Sequence, residues 1–258
     1  MMPMTAPNAL QTAMENEGFA IVDGVLPDDL VDGLLTTLEH RSNSSVLQRG
    51  GKIFAARNLL DVPEIIDLAC STPVRNLLRD VLGEFCFAVR GILFDKIPAA
   101  NWKVPWHQDV TIAVRERANV EGFGPWTVKA GTLHVQPPSS VLEKMVSVRL
   151  HLDQCDESNG ALRVIPGSHR YGRIPEKEIL SIVQNSREHV CAVNRGGALL
   201  MRPLLLHASS PSSSPAHRRV IHIDFASEPL PNPLQWLSNG ESMGRRTPLA
   251  TMVPEIAE

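Results

Sequence analysis

The hydrophobic rhythm of this chain changes partway along. Residues 7–17 and 27–40 carry the three-to-four spacing of one helical face. In the second, Leu30, Leu34, Leu35 and Leu38 form the stripe, and Pro27, Asp28 and Asp29 suit a helix start by backbone geometry and dipole. The stripe reads as core packing. Residues 63–82 predict a helix pair broken at Pro73. From Phe85 the period shortens: Phe85–Ile97, 146–153, 161–165, 190–206 and 218–226 read as strands between Gly, Pro and Ser clusters. Between 146 and 153, Val146, Val148, Leu150 and Leu152 alternate with Ser147, Arg149, His151 and Asp153, the pattern of a half-buried strand. The apolar run Ala198–Leu206 predicts a buried strand with His207 at its downstream end. Beyond the Ser/Pro loop 209–215, Arg218–Phe225 alternates again and is placed to pair antiparallel with it. Helices followed by many antiparallel strands suit a mainly β fold, a double-stranded β-helix or cupin-like jelly roll with flanking helices.

At 258 residues the chain fits one domain. Within it, residues 1–84 read as a helical region, 85–228 as a jelly-roll core and 229–258 as an irregular, Pro-rich tail. A net charge of −3 gives no electrostatic footprint for nucleic acid. Cys70, Cys86, Cys155 and Cys191 are scattered, which indicates neither a zinc knuckle nor a disulfide framework. The apolar stretch Phe19–Leu26 is interrupted by Asp23, nothing approaches a membrane span, and the final residues carry no peroxisomal address. These features predict a cytoplasmic protein.

Three His-x-Asp triplets occur, beginning at His107, His151 and His222. With nine histidines present, on the order of one is expected by chance, so position has to separate them. His222 has no later histidine to partner it, and His151 sits on the polar face of its strand. His107, after Val104-Pro105-Trp106, lies where a strand meets a loop, a common place for sites. Alternation turns His107 and Asp109 to one side. With the strand-end His207 they offer two imidazoles and a carboxylate, the facial set that holds non-haem Fe(II) with positions left open. Arg218 follows, and a guanidinium captures carboxylates through two parallel hydrogen bonds.

These residues resemble the phytanoyl-CoA dioxygenase family of Fe(II)/2-oxoglutarate oxygenases over about residues 15–226. The resemblance rests on Glu17–Leu26, Trp106-His-Gln-Asp109, Asn159-Gly-Ala-Leu-Arg-Val-Ile-Pro-Gly-Ser-His169, His207-Ala-Ser209 and the arginine eleven residues past His207. It implies that His107, Asp109 and His207 bind iron and that Arg218 holds the 2-oxoglutarate tail. Gln108 and Ser209 match positions that can touch 2-oxoglutarate. Pattern alone turns the Ile221, Ile223, Phe225 face inward with Arg219; the family spacing selects Arg218 instead. Asp109 argues for hydroxylation or another oxidation rather than halogenation, since related halogenases lack that carboxylate.

The reading is an Fe(II)/2-oxoglutarate-dependent dioxygenase that uses O2 to hydroxylate a C–H bond of a small organic substrate, releasing succinate and CO2. Nickel or zinc would be expected as surrogate ions in a crystal. The alternatives are a non-catalytic jelly roll that binds metal or ligand, and a zinc hydrolase on the same three ligands. Two segments bear on substrate choice. Thr111–Lys144, with Phe123-Gly-Pro-Trp126, Lys129 and His134, reads as a long loop over the mouth. Gly50–Asn58 carries Lys52 and Arg57, which could meet an acidic substrate.

Overall fold

A computed structural model describes residues 8–39, 46–49, 52–96, 101–213 and 217–238, with the backbone path alone for 46–49 and 52–55. Its helices are α1 (Ala9–Asn16), α2 (Asp28–Glu39), α3 (Pro63–Cys70), α4 (Thr72–Leu82), α5 (Ser139–Leu142) and α6 (Glu176–Gln184). The break between α3 and α4 falls at Ser71, and Pro73 sits in the first turn of α4, where its missing N–H costs nothing.

The strands are β1 (Phe19–Val22), β2 (Val46–Arg49), β3 (Lys52–Ala56), β4 (Phe87–Lys96), β5 (Val104–His107), β6 (Ile112–Ala113), β7 (Trp126–Lys129), β8 (Thr132–Val135), β9 (Met145–His151), β10 (Leu162–Val164), β11 (His189–Cys191), β12 (Ala198–Met201), β13 (His207–Ser209) and β14 (Arg218–Ala226). They form three antiparallel sheets: a large one ordered β1-β12-β9-β14-β4-β3-β2, a small one ordered β11-β10-β13-β5, and a third ordered β6-β8-β7. The jelly-roll expectation holds. The large and small sheets pack face to face through Phe19, Leu199 and Met201 against Leu162, Val164 and Cys191.

The two faces of the large sheet explain its sequence. Outward, Val146, Val148, Leu150, Leu200, Ile221, Ile223 and Phe225 bury themselves under Val31, Leu34 and Leu38 of α2 and Ile65, Leu68, Val74 and Leu78 of α3 and α4. Inward, register aligns Arg218 with Lys96, Val220 with Phe94 and His151, His222 with Ile92 and Arg149, and Asp224 with Arg90 and Ser147. The inner face is therefore largely polar and still buried.

Four expectations are corrected by this arrangement. β9 is buried on both faces, not half-buried. Its polar residues meet the cavity between the sheets rather than water. The run 190–206 is not one strand: β11 and β12 belong to different sheets, and after β12 the chain turns, with the Leu205 N–H donating to the Arg202 carbonyl at 3.0 Å, before β13 starts at His207. Nor does β14 pair with that run, since its neighbours are β9 and β4. Thr111–Lys144 is not a structureless loop but the third sheet plus α5. At the ends, β1 falls within Glu17–Leu26, the stretch the resemblance takes as an opening strand, and β2 and β3 follow α2 within residues 1–84. Leu230, Leu234 and Trp236 pack with Val89, Ile112 and Met145, so the stretch to residue 238 belongs to the core.

Candidate metal centre and cosubstrate pocket

β5 and β13 lie side by side in the small sheet with His107 directly opposite His207. Alternation along β5 sends Trp106 outward to pack with Ile165, Ile174 and residues of α6, and turns His107 inward. The Asp109 N–H donates to the Pro203 carbonyl at 2.9 Å, which ties the end of this segment to the turn before β13. The imidazole centroids of His107 and His207 are 4.2 Å apart. Asp109 reaches both, with Oδ1 at 4.0 Å from His107 Nε2 and Oδ2 at 3.7 Å from His207 Nε2. One ligand atom from each of the three lies within 4.8 Å of the others.

Backbone contacts aim these rings. His107 Nδ1–H donates to the Pro105 carbonyl and His207 Nδ1–H to the Leu205 carbonyl, both at 2.9 Å. With Nδ1 so used, Nε2 of each ring keeps its lone pair for an ion, the usual outer support of a metal-bound histidine. Burial pushes the His207 imidazole down to about 4, so it is uncharged near neutrality. Burial alone would raise the Asp109 carboxyl; the charges of His207, Arg90, His222 and His107 outweigh this and hold it below its usual range. Two bare imidazole nitrogens and a carboxylate on one side of a would-be ion suit a six-coordinate metal with open positions.

The Asn159–His169 stretch positions this centre from outside. Asp156 and Asn159 form a reciprocal cap, and Gly160 follows in the left-handed region at φ 81°. A Cβ at Gly160 would stand 2.7 Å from the Ser210 carbonyl oxygen and 2.9 Å from Lys96 Nζ, so only glycine fits. The Gly160 carbonyl accepts from Arg218 Nη1 at 2.9 Å. Further on, the Leu206 N–H donates to Ser168 Oγ at 2.9 Å and fixes the residue that precedes His207.

Arg218 is 3 % exposed and points to the cavity. Beside it Lys96, 1 % exposed, donates to Ser209 Oγ at 3.0 Å and to the Ser210 carbonyl at 2.6 Å. Burial and then the Arg218 charge bring Lys96 down to about 8. Arg219 faces the other way, and its guanidinium and N–H grip the Asp153 carboxylate at 2.8–2.9 Å. Gln108, matched by the resemblance to a position that can touch 2-oxoglutarate, spends its amide on backbone groups. Its Nε2 donates to the Gly172 and Leu204 carbonyls, and its Oε1 accepts from the Ile174 N–H at 2.8 Å. That amide ties β5 to residues 172–174 and to the turn before β13.

Several groups were missed by sequence reasoning: Lys96, Arg90, Arg149, His151 and the His222-Asp224 pair. On β9 and β14 the signal was alternation, taken for a polar strand face; Arg90 and Lys96 on β4 carry no such pattern. Asp224 accepts from Arg90 Nε at 2.5 Å, Ser147 Oγ at 2.6 Å and His222 Nε2 at 2.8 Å. Arg149 Nη1 lies 3.1 Å from His222 Nδ1. A guanidinium only donates, so Nδ1 accepts and Nε2 carries the proton toward Asp224.

Fold and geometry together define a cupin-like jelly roll in which His107, Asp109 and His207 gather as a candidate metal site. The chain belongs to the phytanoyl-CoA dioxygenase (PhyH) family, whose model matches residues 14–220. No curated protein matches it. Among solved structures it is similar to EctD from S. alaskensis, crystallised with bound Fe, at 17 % identity and TM-score 0.67 over 90 % of this chain and 82 % of that one. AviO1 from Streptomyces viridochromogenes Tue57 is similar at 22 % identity and TM-score 0.62, over 89 % of this chain and 99 % of that one. The non-heme alpha ketoglutarate dependent carbocyclase SnoK from nogalamycin biosynthesis is similar at 12 % identity and TM-score 0.64, over 95 % and 92 %. No helix among the described residues is long and apolar enough to cross a membrane.

Proposed function

We propose that this chain is an Fe(II)- and 2-oxoglutarate-dependent oxygenase that hydroxylates a C–H bond of a small organic substrate. The observation that carries the reading is the convergence of His107, Asp109 and His207 on the small sheet, with Arg218 buried on the inner face of the large sheet opposite, beside the Lys96 that reaches Ser209 of β13. His107 and His207 would hold the ion through Nε2 and Asp109 through its carboxylate. Arg218, with Lys96 and Ser209 next to it, supplies the charged end for the distal carboxylate of the cosubstrate. When bound, iron and 2-oxoglutarate supply an oxidising equivalent from O2, with succinate and CO2 as by-products. The protein's share is geometry. Carbonyl contacts aim the two imidazoles, Gln108 fixes the segment between His107 and Asp109, and Lys129 at the end of β7 of the third sheet reaches Thr111 two residues past Asp109. A hydrolase on the same ligands would have no use for Arg218. EctD from S. alaskensis has also been crystallised with 2-oxoglutarate and 5-hydroxyectoine, which supports hydroxylation among the oxidations this scaffold hosts.

The test is calorimetry of 2-oxoglutarate into the Fe(II)-loaded protein without oxygen, followed by succinate release in air with ascorbate. Binding and slow substrate-free turnover are expected, and Asp109→Ala should abolish turnover. Absence of binding to the metal-loaded protein would point to the non-catalytic jelly roll.

A further inference from the structure

The inner face of the large sheet carries a surplus of positive charge. Register places Arg218, Lys96, Arg149 and Arg90 there, with Asp224 as the one carboxylate among the described residues of that face. Asp224 is taken by Arg90. The partners of the other three cations are neutral: Arg218 Nη1 donates to the Gly160 carbonyl, Lys96 to Ser209 Oγ and the Ser210 carbonyl, and Arg149 Nη1 to His222 Nδ1. The distal carboxylate of the cosubstrate would occupy Arg218 and Lys96; Arg149 stays without a counter-charge. It is 7 % exposed, and its Nε is buried without a partner. Two residues along β9, His151 is 2 % exposed and neither ring nitrogen has a partner. A neutral imidazole holds one donor and one acceptor, so both kinds of group are open beside Arg149. A buried guanidinium with no counter-charge is costly, and each buried polar group of a folded protein needs a partner in protein, water or ligand.

The strands fix where Arg149 stands relative to the metal ligands. Lys96 Nζ and Ser209 Oγ, 3.0 Å apart, join the two sheets at one level. Two residues from Ser209 along β13 is His207, and two residues from Lys96 along β4 is Phe94, each step about 7 Å. The Arg149 guanidinium carbon lies 5.5 Å from the centre of the Phe94 ring. Both steps run the same way. Leu162 and Val164, opposite Ser209 and His207, pack with Leu199 and Met201, opposite Arg149 and Ser147. Arg218 and Lys96 therefore face one level of the cavity, and Arg149 faces the level of His207.

We propose that Arg149 is a second carboxylate anchor, which makes the cavity a two-ended clamp for a short linear dicarboxylate. Arg218 with Lys96 takes one end, and Arg149, with His151 beside it, takes the other at the level of the metal ligands. This rests on the oxygenase reading, in which the dicarboxylate is 2-oxoglutarate. The spacing suits it. The carboxyl carbons of a five-carbon diacid stand roughly 5 Å apart when extended, and a guanidinium reaches a carboxylate oxygen across a further ~3 Å at each end. Burial and then the Arg218 charge bring Arg149 down to about 10, so it is still a cation near neutrality. With both ends compensated by protein, the diacid binds even before the ion does.

The test is calorimetry on the metal-free protein with glutarate, butyrate and 2-oxoglutarate. Glutarate has both carboxylates and no oxo group to chelate a metal; butyrate has one carboxylate on a similar chain. Glutarate should bind at least about tenfold more tightly than butyrate, the value of one charge-assisted contact. Arg149→Gln should remove that preference, lowering glutarate affinity about tenfold and butyrate affinity little. Arg149→Lys keeps the charge without the planar fork and should lose less; it also serves if a urea titration shows that the glutamine variant does not fold. Equal binding of the two acids, or a glutarate preference that survives Arg149→Gln, would overturn the proposal. So would 2-oxoglutarate binding that appears only after Fe(II) is added, an outcome that leaves the oxygenase reading in place. Glutarate binding with no gain in 2-oxoglutarate affinity on adding Fe(II) would keep the clamp and remove the oxygenase reading.

Discussion

Arg218 and Arg219 are consecutive, yet a sheet separates their side chains. Arg218 lies in the cavity with Lys96 and the Gly160 carbonyl, and Arg219 lies outside with Asp153 and Glu39. Their substitutions should differ accordingly. Removing the buried partner of a carboxylate costs about 3–5 kcal/mol, so Arg218→Ala should raise the KM for 2-oxoglutarate by about a hundredfold or more. Arg219→Ala should leave that KM nearly unchanged and lower stability by about 1 kcal/mol, because its ion pair is only partly buried. Steady-state kinetics of both variants with a urea titration of each checks this, and a KM effect in Arg219→Ala alone would reverse the assignment. At this scale the sequence was legible where chemistry and spacing agreed, as at His107, Asp109 and His207. Arg218 was harder, because Ile221, Ile223 and Phe225 look like a core-facing set. They are, but the core they face lies under the helices.

The elements show why polarity alternation misleads in this fold. On β9, Ser147, Arg149 and His151 alternate with aliphatic residues just as on a strand with one wet face, and a sequence cannot distinguish water from a polar cavity. The split of Ala198–Leu206 was hidden for a related reason. Leu204, Leu205 and Leu206 stay buried through the turn, so hydrophobicity continues where the strand does not. Arg202, the one charged residue in the run, marks the turn; its N–H donates to the Gly18 carbonyl at 2.8 Å as the chain leaves β12. β5 carries a prediction of its own. Gln108 ties it to residues 172–174 and to Leu204 through three backbone groups. Gln108→Ala would leave a buried donor and two acceptors unsatisfied, each worth about 1–3 kcal/mol before relaxation. The thermal midpoint should drop by several degrees, beyond the range of a surface substitution. An unchanged midpoint would mean that water replaces the amide, and that Gln108 is free to serve the cavity after all.

For the whole molecule, placing so many titratable groups between two sheets makes stability depend on their protonation. His207 and His134 are brought to about 4 and His151 is driven well below its ordinary value, in each case chiefly by burial. Unfolded, each would titrate near 6.5. Between about pH 6.5 and 4 the unfolded chain therefore binds more protons at these sites than the folded one. The slope of stability with pH is then positive, and stability is lost as pH falls. Each histidine contributes up to about 1.4 kcal/mol per pH unit where the difference is a full proton. The carboxyls of Asp224 and Asp109, held below the usual range, add a further loss only at lower pH. Urea midpoints of the metal-free protein should fall steeply from pH 6.5 to 4, and His151→Gln should flatten the curve by about one histidine's share. Fe(II) should delay the fall, because an ion on Nε2 of His207 competes with the proton there. A flat profile over this window would mean that the inner histidines exchange freely with water, and that the cavity between the sheets is open rather than enclosed.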